Sequence, residues 1–371
     1  MPRRSRADSG VLPQPGEQTG ETSGGSAPAE PELLQVVTAE PPNLEPEVAA
    51  LDSFLTPAEV RFVRCHFEVP AIDLQGFALE VAGAVAHPLR LTLEDLRALP
   101  RRSVTVATEC AGNSRVSLSP PPRGEPWAGG AVANAQWTGV PLTAVIDRCG
   151  LREEALELVF TGADHGLLPG GEQASYARSL PRSKAVEEDV LLALEMNGAE
   201  LLPAHGAPLR LVVPGWYGMA SVKWLQRIDA VAQPFAGWFQ AERYLYVEYG
   251  AMAKVSRMRV KSMVTSPAAF AVLPPGPQRV RGFAWSGEGP IEKVEVAFEG
   301  GNEWREATLL EPQLPHAWRA WEIGWEPPAI GRYLLRSRAT DARGNRQPAA
   351  PRWNEQGHGA NAVQVVLVEV R

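Results

Sequence analysis

The sequence predicts an α+β fold in which a mixed domain of short strands and helices is followed by an all-β sandwich. Strand-like and helix-like segments alternate between many loops through about residue 255, which is typical of a mixed domain. Beyond residue 267, apolar residues recur at every second position in runs separated by Gly, Pro and Asn, as in an antiparallel sandwich. Four prolines and a glycine in residues 267–278 mark the boundary between the two parts.

The first fifty residues have a different composition from the rest. They hold eight Pro, five Gly and eight acidic residues against three Arg. Such a segment buries too little apolar surface to order itself, so residues 1–50 are predicted to be a disordered acidic arm. The mixed domain is then expected over residues 51–258 and the sandwich over residues 270–371.

Short helices are predicted where apolar residues follow helical spacing, at residues 52–59, 93–99, 145–149 and 189–196. Thr56 and Thr92 are expected to cap the first two of these helices, and Gly150 to end the third. Strands are predicted at residues 61–70, 77–83, 104–109, 156–160, 209–214, 280–285, 291–298, 332–339 and 362–368. Six of the 11 tryptophans fall in the sandwich, where they either pack in the core or form a dimer face.

Charge and cysteine content exclude several functional classes. The chain carries a net charge of −7, of which the arm accounts for −5, so the remaining −2 gives no footprint for nucleic acid or an anionic membrane. The cysteines are Cys65, Cys110 and Cys149, and no Cys-x-x-Cys pair occurs, which argues against a disulfide framework, a structural zinc site or an iron–sulfur cluster. No run of 18 apolar residues occurs, so no membrane span is expected. Because no apolar segment follows Arg3 and Arg4, a cytoplasmic location is expected.

Cys110 is the first candidate for chemistry. A predicted strand rich in β-branched residues, at residues 104–109, leads into Cys110. A turn of small residues with Gly112 and Asn113 follows. Arg115 then brings a fixed positive charge, which favours a thiolate and attracts anions. The Pro- and Gly-rich stretch at residues 117–130 is expected to be a loop beside this site.

Basic and imidazole side chains recur at loop positions through the first domain. They are Arg64 with His66, Arg115, His205 with Arg210, and Lys223. Together they predict a pocket that grips an anionic group, since Arg gives bidentate contacts while His and Lys neutralise charge. Taken singly, each of them is better explained as a solvated residue at the end of a loop or strand.

Seven blocks of the first domain occur in the order of a known family. They are FVRCHFEVP at residues 62–70, ECAGN at 109–113, WTGVPL at 137–142, LLALEMNG at 191–198, HGAPLR at 205–210, PGWYG at 214–218 and VKW at 222–224. Over about residues 51–258 the chain closely resembles the molybdopterin domain of the sulfite oxidase family. The sandwich resembles that family's immunoglobulin-like dimerisation domain, which implies a homodimer.

The resemblance implies a molybdenum centre with a molybdopterin cofactor. Cys110 would be the protein ligand of the metal, since soft sulfur donors suit such a metal. The residues implied to hold the pterin and its phosphate are Phe62, Val63, Arg64, Cys65, His66, Asp164, His205, Arg210, Ser221, Val222 and Lys223. Arg115 would line the anion pocket over the metal, and Tyr244 would hydrogen-bond the reacting oxygen or help to move a proton.

Four departures from the family pattern bear on the substrate and the electron path. Cys65 replaces an Asn usual in the animal enzymes, Ser114 replaces an Arg beside the substrate arginine, and Gln356 stands where an arginine from the sandwich is expected. The last two substitutions remove positive charge from the pocket. No haem-binding domain of the cytochrome b type is recognised, so no haem is expected in this chain. The electron acceptor is then a separate partner, such as a cytochrome.

The resemblance therefore implies a sulfite oxidase-type oxidoreductase that transfers an oxygen atom to sulfite or a similar small oxyanion and passes electrons to the acceptor. One alternative is a reductase of nitrate or of S- or N-oxides on the same scaffold. Another is a non-catalytic molybdopterin-binding protein.

Overall fold

The computed structural model describes residues 33–248, 250–298 and 303–371. Strands dominate this part of the chain, and its helices are short. The helices are α1 (Leu93–Arg97), α2 (Leu142–Cys149) and α3 (Arg182–Ala185), and one π-helical turn covers Phe239–Arg243. Among the described residues, no helix combines the length and the apolar character that crossing a bilayer requires.

The strands of the first part run through residue 254. They are β1 (Gln35–Thr38), β2 (Asn43–Glu45), β3 (Val63–Arg64), β4 (Ala78–Gly83), β5 (Leu89–Thr92), β6 (Arg102–Glu109), β7 (Val132–Pro141), β8 (Glu157–Leu167), β9 (Gln173–Pro181), β10 (Leu191–Met196), β11 (Ala199–Glu200), β12 (Arg210–Val212), β13 (Leu225–Val231), β14 (Leu245–Glu248) and β15 (Ala251–Lys254). Strands β1, β2 and β3 form a small sheet, and β14 pairs with β15.

Two five-stranded sheets form the body of the first part. One has the order β11-β10-β7-β6, with β12 also paired to β10, and the other has the order β5-β4-β13-β8-β9. Their strands pair antiparallel except for β4 and β13, which are parallel. A shared buried cluster that includes Leu79, Phe160 and Leu192 joins the two sheets. Because β6 ends at Glu109, the sheet delivers Cys110 directly at its edge.

The capping signals predict two of the helices correctly. In α1 the Thr92 hydroxyl accepts the Asp95 backbone N–H while the Asp95 carboxylate accepts that of Thr92, which completes a capping box. In α2 the buried residues Leu142, Val145, Ile146 and Cys149 follow the spacing of one helical face. Gly150 ends α2 with a φ of +64°, a conformation that suits glycine.

The other two helix predictions are wrong. Residues 191–196 form strand β10, which lies between β7 and β12 and is buried along nearly its whole length. A short, continuously apolar run of this kind does not distinguish a buried strand from a helix. Residues 52–59 form turns, because Thr56 exchanges hydrogen bonds with Asn134 of β7 instead of capping a helix.

The arm predicted at residues 1–50 is wrong for its last third. Residues 33–50 contain β1 and β2, which pair antiparallel with each other, and β2 also pairs antiparallel with β3. The Glu45 carboxylate accepts the backbone N–H groups of Ala128, Gly129 and Gly130 at 2.6, 3.2 and 2.8 Å. The acidic composition of the whole segment masks these two short strands in the sequence. The Glu45 side chain, at the end of β2, is buried against the loop that contains Ala128, Gly129 and Gly130. Residues 1–32 lie outside the described part of the chain.

The second part consists of two packed sheets. Its strands are β16 (Lys261–Ser266), β17 (Val272–Leu273), β18 (Gln278–Trp285), β19 (Ile291–Phe298), β20 (Arg305–Glu306), β21 (Thr308–Leu309), β22 (Arg319–Trp325), β23 (Gly331–Asp341) and β24 (Val365–Val370). The sheet orders are β16-β18-β22-β21 and β17-β24-β23-β19-β20. Side chains from both sheets, among them Val280, Val294 and Leu335, share one buried core.

The period-two runs place the sandwich strands well, but the boundary is earlier than predicted. The predicted strands at residues 280–285, 291–298, 332–339 and 362–368 coincide with or overlap β18, β19, β23 and β24. Strand β16 begins at Lys261 and pairs with β18, so the second part begins before residue 270. Of the six tryptophans, Trp285, Trp318, Trp321 and Trp325 are buried, as the core interpretation expects, whereas Trp304 is half-buried and Trp353 is exposed.

Candidate active site

One cavity lies where loops leave both sheets of the first part. Ten of the fourteen predicted site residues line it, namely Phe62, Arg64, His66, Cys110, Asp164, His205, Arg210, Ser221, Lys223 and Tyr244. Arg61, Tyr176 and Trp224 also line it and were not predicted. The structure thus gathers side chains that are up to 183 residues apart in the sequence.

Cys110 is held at the cavity by the end of β6. Its backbone N–H donates to Ala131 O at 2.9 Å, and its own carbonyl accepts the N–H of Asn113 at 2.9 Å. Burial raises the pKa of the Cys110 thiol, and the charges of Arg64 and Arg115 oppose this. A coordinated metal ion would deprotonate such a thiol outright.

The residue before Cys110 is fixed from the second part of the chain. The Glu109 carboxylate accepts hydrogen bonds from Lys261 Nζ at 2.9 Å, Trp285 Nε1 at 2.9 Å and Asn113 Nδ2 at 3.0 Å. Lys261 also donates to Ser114 Oγ at 3.0 Å. Strands β16 and β18 therefore position the turn that carries the thiol, a relationship that no sequence signal pointed to.

Cationic and imidazole side chains cluster at the other end of the cavity. Arg210 donates to the carbonyls of His205 and Ser221 at 2.8 and 3.3 Å. Burial lowers the pKa of Arg210 to about 10 and, with the charge of Arg61, lowers that of His205 to about 3. His205 is therefore neutral near pH 7, and it contributes hydrogen bonding rather than the positive charge that the sequence suggested.

Lys223 and Asp164 face the same end of the cavity. Lys223 Nζ donates to Ala204 O at 2.9 Å and lies 3.2 Å from the sulfur of Cys65. Burial lowers the pKa of Lys223 to about 8 and raises that of Asp164 to about 6. Cys65 thus contacts a cavity residue but does not line the cavity itself.

The remaining predicted binding residues, Val63, Cys65 and Val222, lie behind the residues that line the cavity. Val63 and Cys65 are buried in a small cluster with Trp224. Val222 is buried in the main core, and its carbonyl accepts the N–H of Leu211 at 2.8 Å. Any contact that they make with a ligand would have to come from the backbone.

The polar lining fits a phosphate-bearing pterin cofactor. In the described part of the chain, Arg61 Nη1, Asp164 Oδ1 and Arg210 Nε are buried and find no hydrogen-bond partner. Buried polar atoms without partners are costly, so an atom set of this kind is expected to be satisfied by a ligand. Donors at Arg61 and Arg210 suit phosphate oxygens, the Asp164 acceptor suits pterin N–H groups, and Cys110 supplies the soft donor.

Tyr244 lies between the thiol end of the cavity and a layer of aromatic and basic groups. Its hydroxyl is 2.7 Å from His66 Nε2. The His358 ring stacks on the Tyr244 ring with a centroid separation of 5.2 Å, and the guanidinium of Arg178 lies 5.3 Å from the centroid of that ring. Burial raises the pKa of Tyr244, so the phenol stays protonated near pH 7.

Arg115 joins an arginine cluster next to the cavity rather than lining the cavity. Arg64, Arg115 and Arg243 surround the carboxylate of Glu125, with N–O distances of 3.1, 3.8 and 3.5 Å. Sequence reasoning missed Glu125, which is hidden in the Pro- and Gly-rich loop. It also missed Arg243, although this residue directly precedes Tyr244.

Gln356 reaches the arginine cluster from the second part, where the resemblance implied an arginine. Its side-chain oxygen accepts a hydrogen bond from Arg243 at 2.8 Å, and its backbone carbonyl accepts one from Arg115 at 3.2 Å. Ser114 points elsewhere, toward Lys261 and Gln364. Neither side chain adds positive charge to the pocket.

Comparisons with known proteins cover both parts of the chain. Residues 66–239 match the oxidoreductase molybdopterin binding domain, and residues 252–371 match the Mo-co oxidoreductase dimerisation domain. The sulfite oxidase of Gallus gallus is 35% identical over 378 residues, which cover 92% of this chain and 82% of that protein.

Other relatives extend the range of named activities. The mitochondrial sulfite oxidase of Mus musculus is 34% identical and is matched over 91% of this chain and 66% of its own length. An NADH nitrate reductase of Petunia hybrida is 31% identical over 88% of this chain and 40% of its own length. The crystal structure of the sulfane dehydrogenase SoxCD from Paracoccus pantotrophus superposes with a TM-score of 0.82 at 29% identity, covering 95% of this chain and 93% of that one.

Proposed function

The chain belongs to the sulfite oxidase family of molybdopterin-dependent oxidoreductases, and from this premise we propose that Cys110 holds a molybdenum centre that works on a small oxo compound. The bound cofactor would supply two-electron oxygen-atom transfer chemistry. The observation that carries the proposal is the convergence of Cys110, Tyr244 and the cationic side chains on one cavity.

The chain's residues divide the work along the cavity. Arg210, Lys223 and Arg61 would bind the phosphate of the pterin. The backbone carbonyl of neutral His205 would orient Arg210 by accepting a hydrogen bond from its guanidinium group. Asp164 would accept hydrogen bonds from the pterin ring, while Phe62, Arg64, His66 and Ser221 form part of the cavity wall. Tyr244 would donate a hydrogen bond to the reacting oxygen of the substrate, or pass a proton toward His66.

The substrate proposed first is sulfite or a similar small oxyanion, in line with the names of the two sulfite oxidases described above. The second candidate is reduction of nitrate or of an S- or N-oxide. It is supported by the charge of the pocket, because Glu125 offsets the arginines and Ser114 and Gln356 bring no cation. Steady-state turnover with sulfite, nitrate and dimethyl sulfoxide separates the two candidates.

The second part is proposed to be an immunoglobulin-like sandwich through which two chains form a homodimer. Its match to a dimerisation domain and its two packed sheets support this assignment. Light scattering after gel filtration tests it, and a monomer at micromolar concentration contradicts it. A separate electron acceptor and a cytoplasmic location complete the proposal, and are tested by reduction of purified cytochrome c and by cell fractionation.

Metal content and turnover test the central proposal together. Protein purified from a pterin-competent host is expected to contain molybdenum and to reduce an artificial acceptor with one of the three substrates. The Cys110→Ala variant is expected to lose turnover, whereas Cys149→Ala keeps it, because Cys149 is a buried thiol in α2 that donates only to Ile146 O. Absence of molybdenum from the wild-type protein would overturn the proposal.

A further inference from the structure

We propose that Glu125 is a specificity-determining residue that occupies the arginine cluster as an internal anion, so that the site binds small dianions less tightly, relative to uncharged oxo compounds, than the three arginines alone would. The inference rests on the proposed function, because it concerns the substrate class of that same site. It assigns a role to a carboxylate within the loop at residues 117–130, which the sequence marked only as a loop.

The Glu125 carboxylate lies where an anion would bind. Its Oε1 is 3.1 Å from Arg64, and its Oε2 is 3.8 Å from Arg115 and 3.5 Å from Arg243. Arg64 also lines the cavity that contains Cys110 and Tyr244. Burial acts to raise the pKa of Glu125, but the charges of Arg64, Arg243 and Arg115 outweigh it and hold the pKa below its usual range.

The arginines also donate to other acceptors within the chain. Arg64 donates to Asn43 Oδ1 at 3.1 Å and to the carbonyl of Cys65. Arg115 donates to the carbonyls of Glu125 and Gln356 at 2.5 and 3.2 Å, and Arg243 donates to the Gln356 side chain at 2.8 Å. An incoming dianion must therefore compete with acceptors fixed in the chain for the hydrogen bonds of these arginines. It must also compete with the Glu125 carboxylate for their positive charge.

Glu125 is held in place by its own loop. Two residues further along, Trp127 is fully buried, and the backbone N–H groups of Ala128 and Gly130 donate to the buried Glu45 carboxylate at 2.6 and 2.8 Å. On the other side of Glu125, Gly124 lies against the guanidinium groups of Arg115 and Arg243. These contacts fix the backbone on both sides of Glu125 and keep its carboxylate within reach of the three guanidinium groups, so Glu125 acts as a built-in counter-ion rather than as a mobile lid.

Electrostatics gives the direction and the size of the effect. Three guanidinium groups and one carboxylate leave the cluster two positive charges, and removal of the carboxylate leaves three. Each unit charge near a partly buried site changes the affinity for a dianion by several-fold or more, because the local dielectric constant is well below that of water. A neutral S-oxide or N-oxide feels little of this difference, since it carries no net charge.

The test compares Glu125→Gln with the wild-type protein, using sulfate as an unreactive dianion in isothermal titration calorimetry. Glutamine keeps the shape and one acceptor oxygen but removes the charge. The variant is expected to bind sulfate at least about tenfold more tightly, and the KM for sulfite is expected to fall in the same proportion. The KM for dimethyl sulfoxide is expected to change by less than about twofold.

The matched control is Glu355→Gln, which removes the same charge from an exposed residue beside Gln356. This control is expected to leave sulfate affinity unchanged, because solvent screens exposed charges. Glu125→Leu gives a second variant with no acceptor, and it too is expected to tighten sulfate binding.

Unchanged sulfate affinity in folded Glu125→Gln and Glu125→Leu overturns the inference, as does an equal gain in the Glu355→Gln control. Failure of the proposed function looks different, because it appears as missing molybdenum or missing turnover in the wild-type protein. The sulfate titration reports on Glu125 in either case, since it requires no reaction.

Discussion

The hydroxyl of Tyr244 lies 2.7 Å from Nε2 of His66, although 178 residues separate the two in the chain. Burial, followed by the charges of Arg64 and Arg243, holds the pKa of His66 well below its usual value, so the imidazole is neutral. Burial also raises the pKa of Tyr244. The pair therefore shares a hydrogen bond between two neutral groups, and it can orient the phenol or relay a proton at the thiol end of the cavity.

Replacing Tyr244 by Phe removes this hydroxyl and keeps the ring that stacks on His358. We expect kcat to fall by about a hundredfold, which is the usual size of a positioned proton donor's contribution. Steady-state turnover of the molybdenum-loaded protein measures this change. The matched control is Tyr333→Phe, which removes a buried hydroxyl bonded to Ala329 in the second part and is expected to leave kcat unchanged. Equal kcat values in the two variants would contradict a role for the Tyr244 phenol in turnover.

Lys261→Met leaves the Glu109 carboxylate buried without its cation. We expect the free energy of unfolding to fall by about 4 kcal/mol, because breaking a buried ion pair strands a charge. Chemical denaturation measures this loss, and adding Glu109→Gln is expected to recover part of it. Lys293→Met breaks a half-buried pair with Glu295, which keeps its ion pairs with Arg338 and Arg346, and is expected to cost less than about 1 kcal/mol. A similar loss of unfolding free energy in Lys261→Met and Lys293→Met would contradict the larger contribution expected of the buried ion pair.

Glu45→Ala removes the acceptor of three backbone N–H groups in the loop that carries Glu125. We expect a loss of about 3 kcal/mol in the free energy of unfolding, since buried donors are left without partners. Amide hydrogen exchange at Ala128 and Gly130 is expected to speed up. Glu47→Ala, at an exposed residue two positions away, is the control and is expected to change stability by less than about 0.5 kcal/mol. Slow exchange at both glycine and alanine amides in Glu45→Ala would refute this role of Glu45.

Asp164→Asn tests the burial of a carboxyl whose pKa is raised from 3.8 to about 6. A raised pKa means that the folded state binds the proton more tightly than the unfolded state between these two values. The contribution of Asp164 to the free energy of unfolding therefore falls as pH rises through this window, by about 3 kcal/mol in total. In cofactor-free protein, the melting temperature of the variant relative to wild type is expected to rise from pH 4 to pH 7. A difference that does not vary with pH would contradict the shift.

Local signals in the sequence were sufficient where structure depends on near neighbours. The Thr92 capping box and the strand run at residues 291–298 are each determined within a few residues, and the structure confirms both. The strand leading to Cys110 is of the same kind. By contrast, β10 was predicted as a helix, because only its neighbours in the sheet distinguish a buried strand from a helix.

The site was predictable as a set of residues but not as a network. The ordered motif blocks contain seven of the ten cavity residues, and the family resemblance that they carry implied Asp164, Ser221 and Tyr244 as well. The contacts of Glu125 with Arg243 and of Glu109 with Lys261 join residues more than a hundred positions apart. No local pattern marks such pairs, since a lone glutamate in a loop or strand is ordinary until its partner is known.

Lys261 and Trp285 of the second part hold the carboxylate next to Cys110 in the first part. The two matched domains are therefore unsuited to being cut apart and recombined freely. A chimaera that joins the first domain to a sandwich from another relative would need a lysine and an indole at the same two strand positions. Without them, a stranded anion would sit one residue from the thiol on which the chemistry depends.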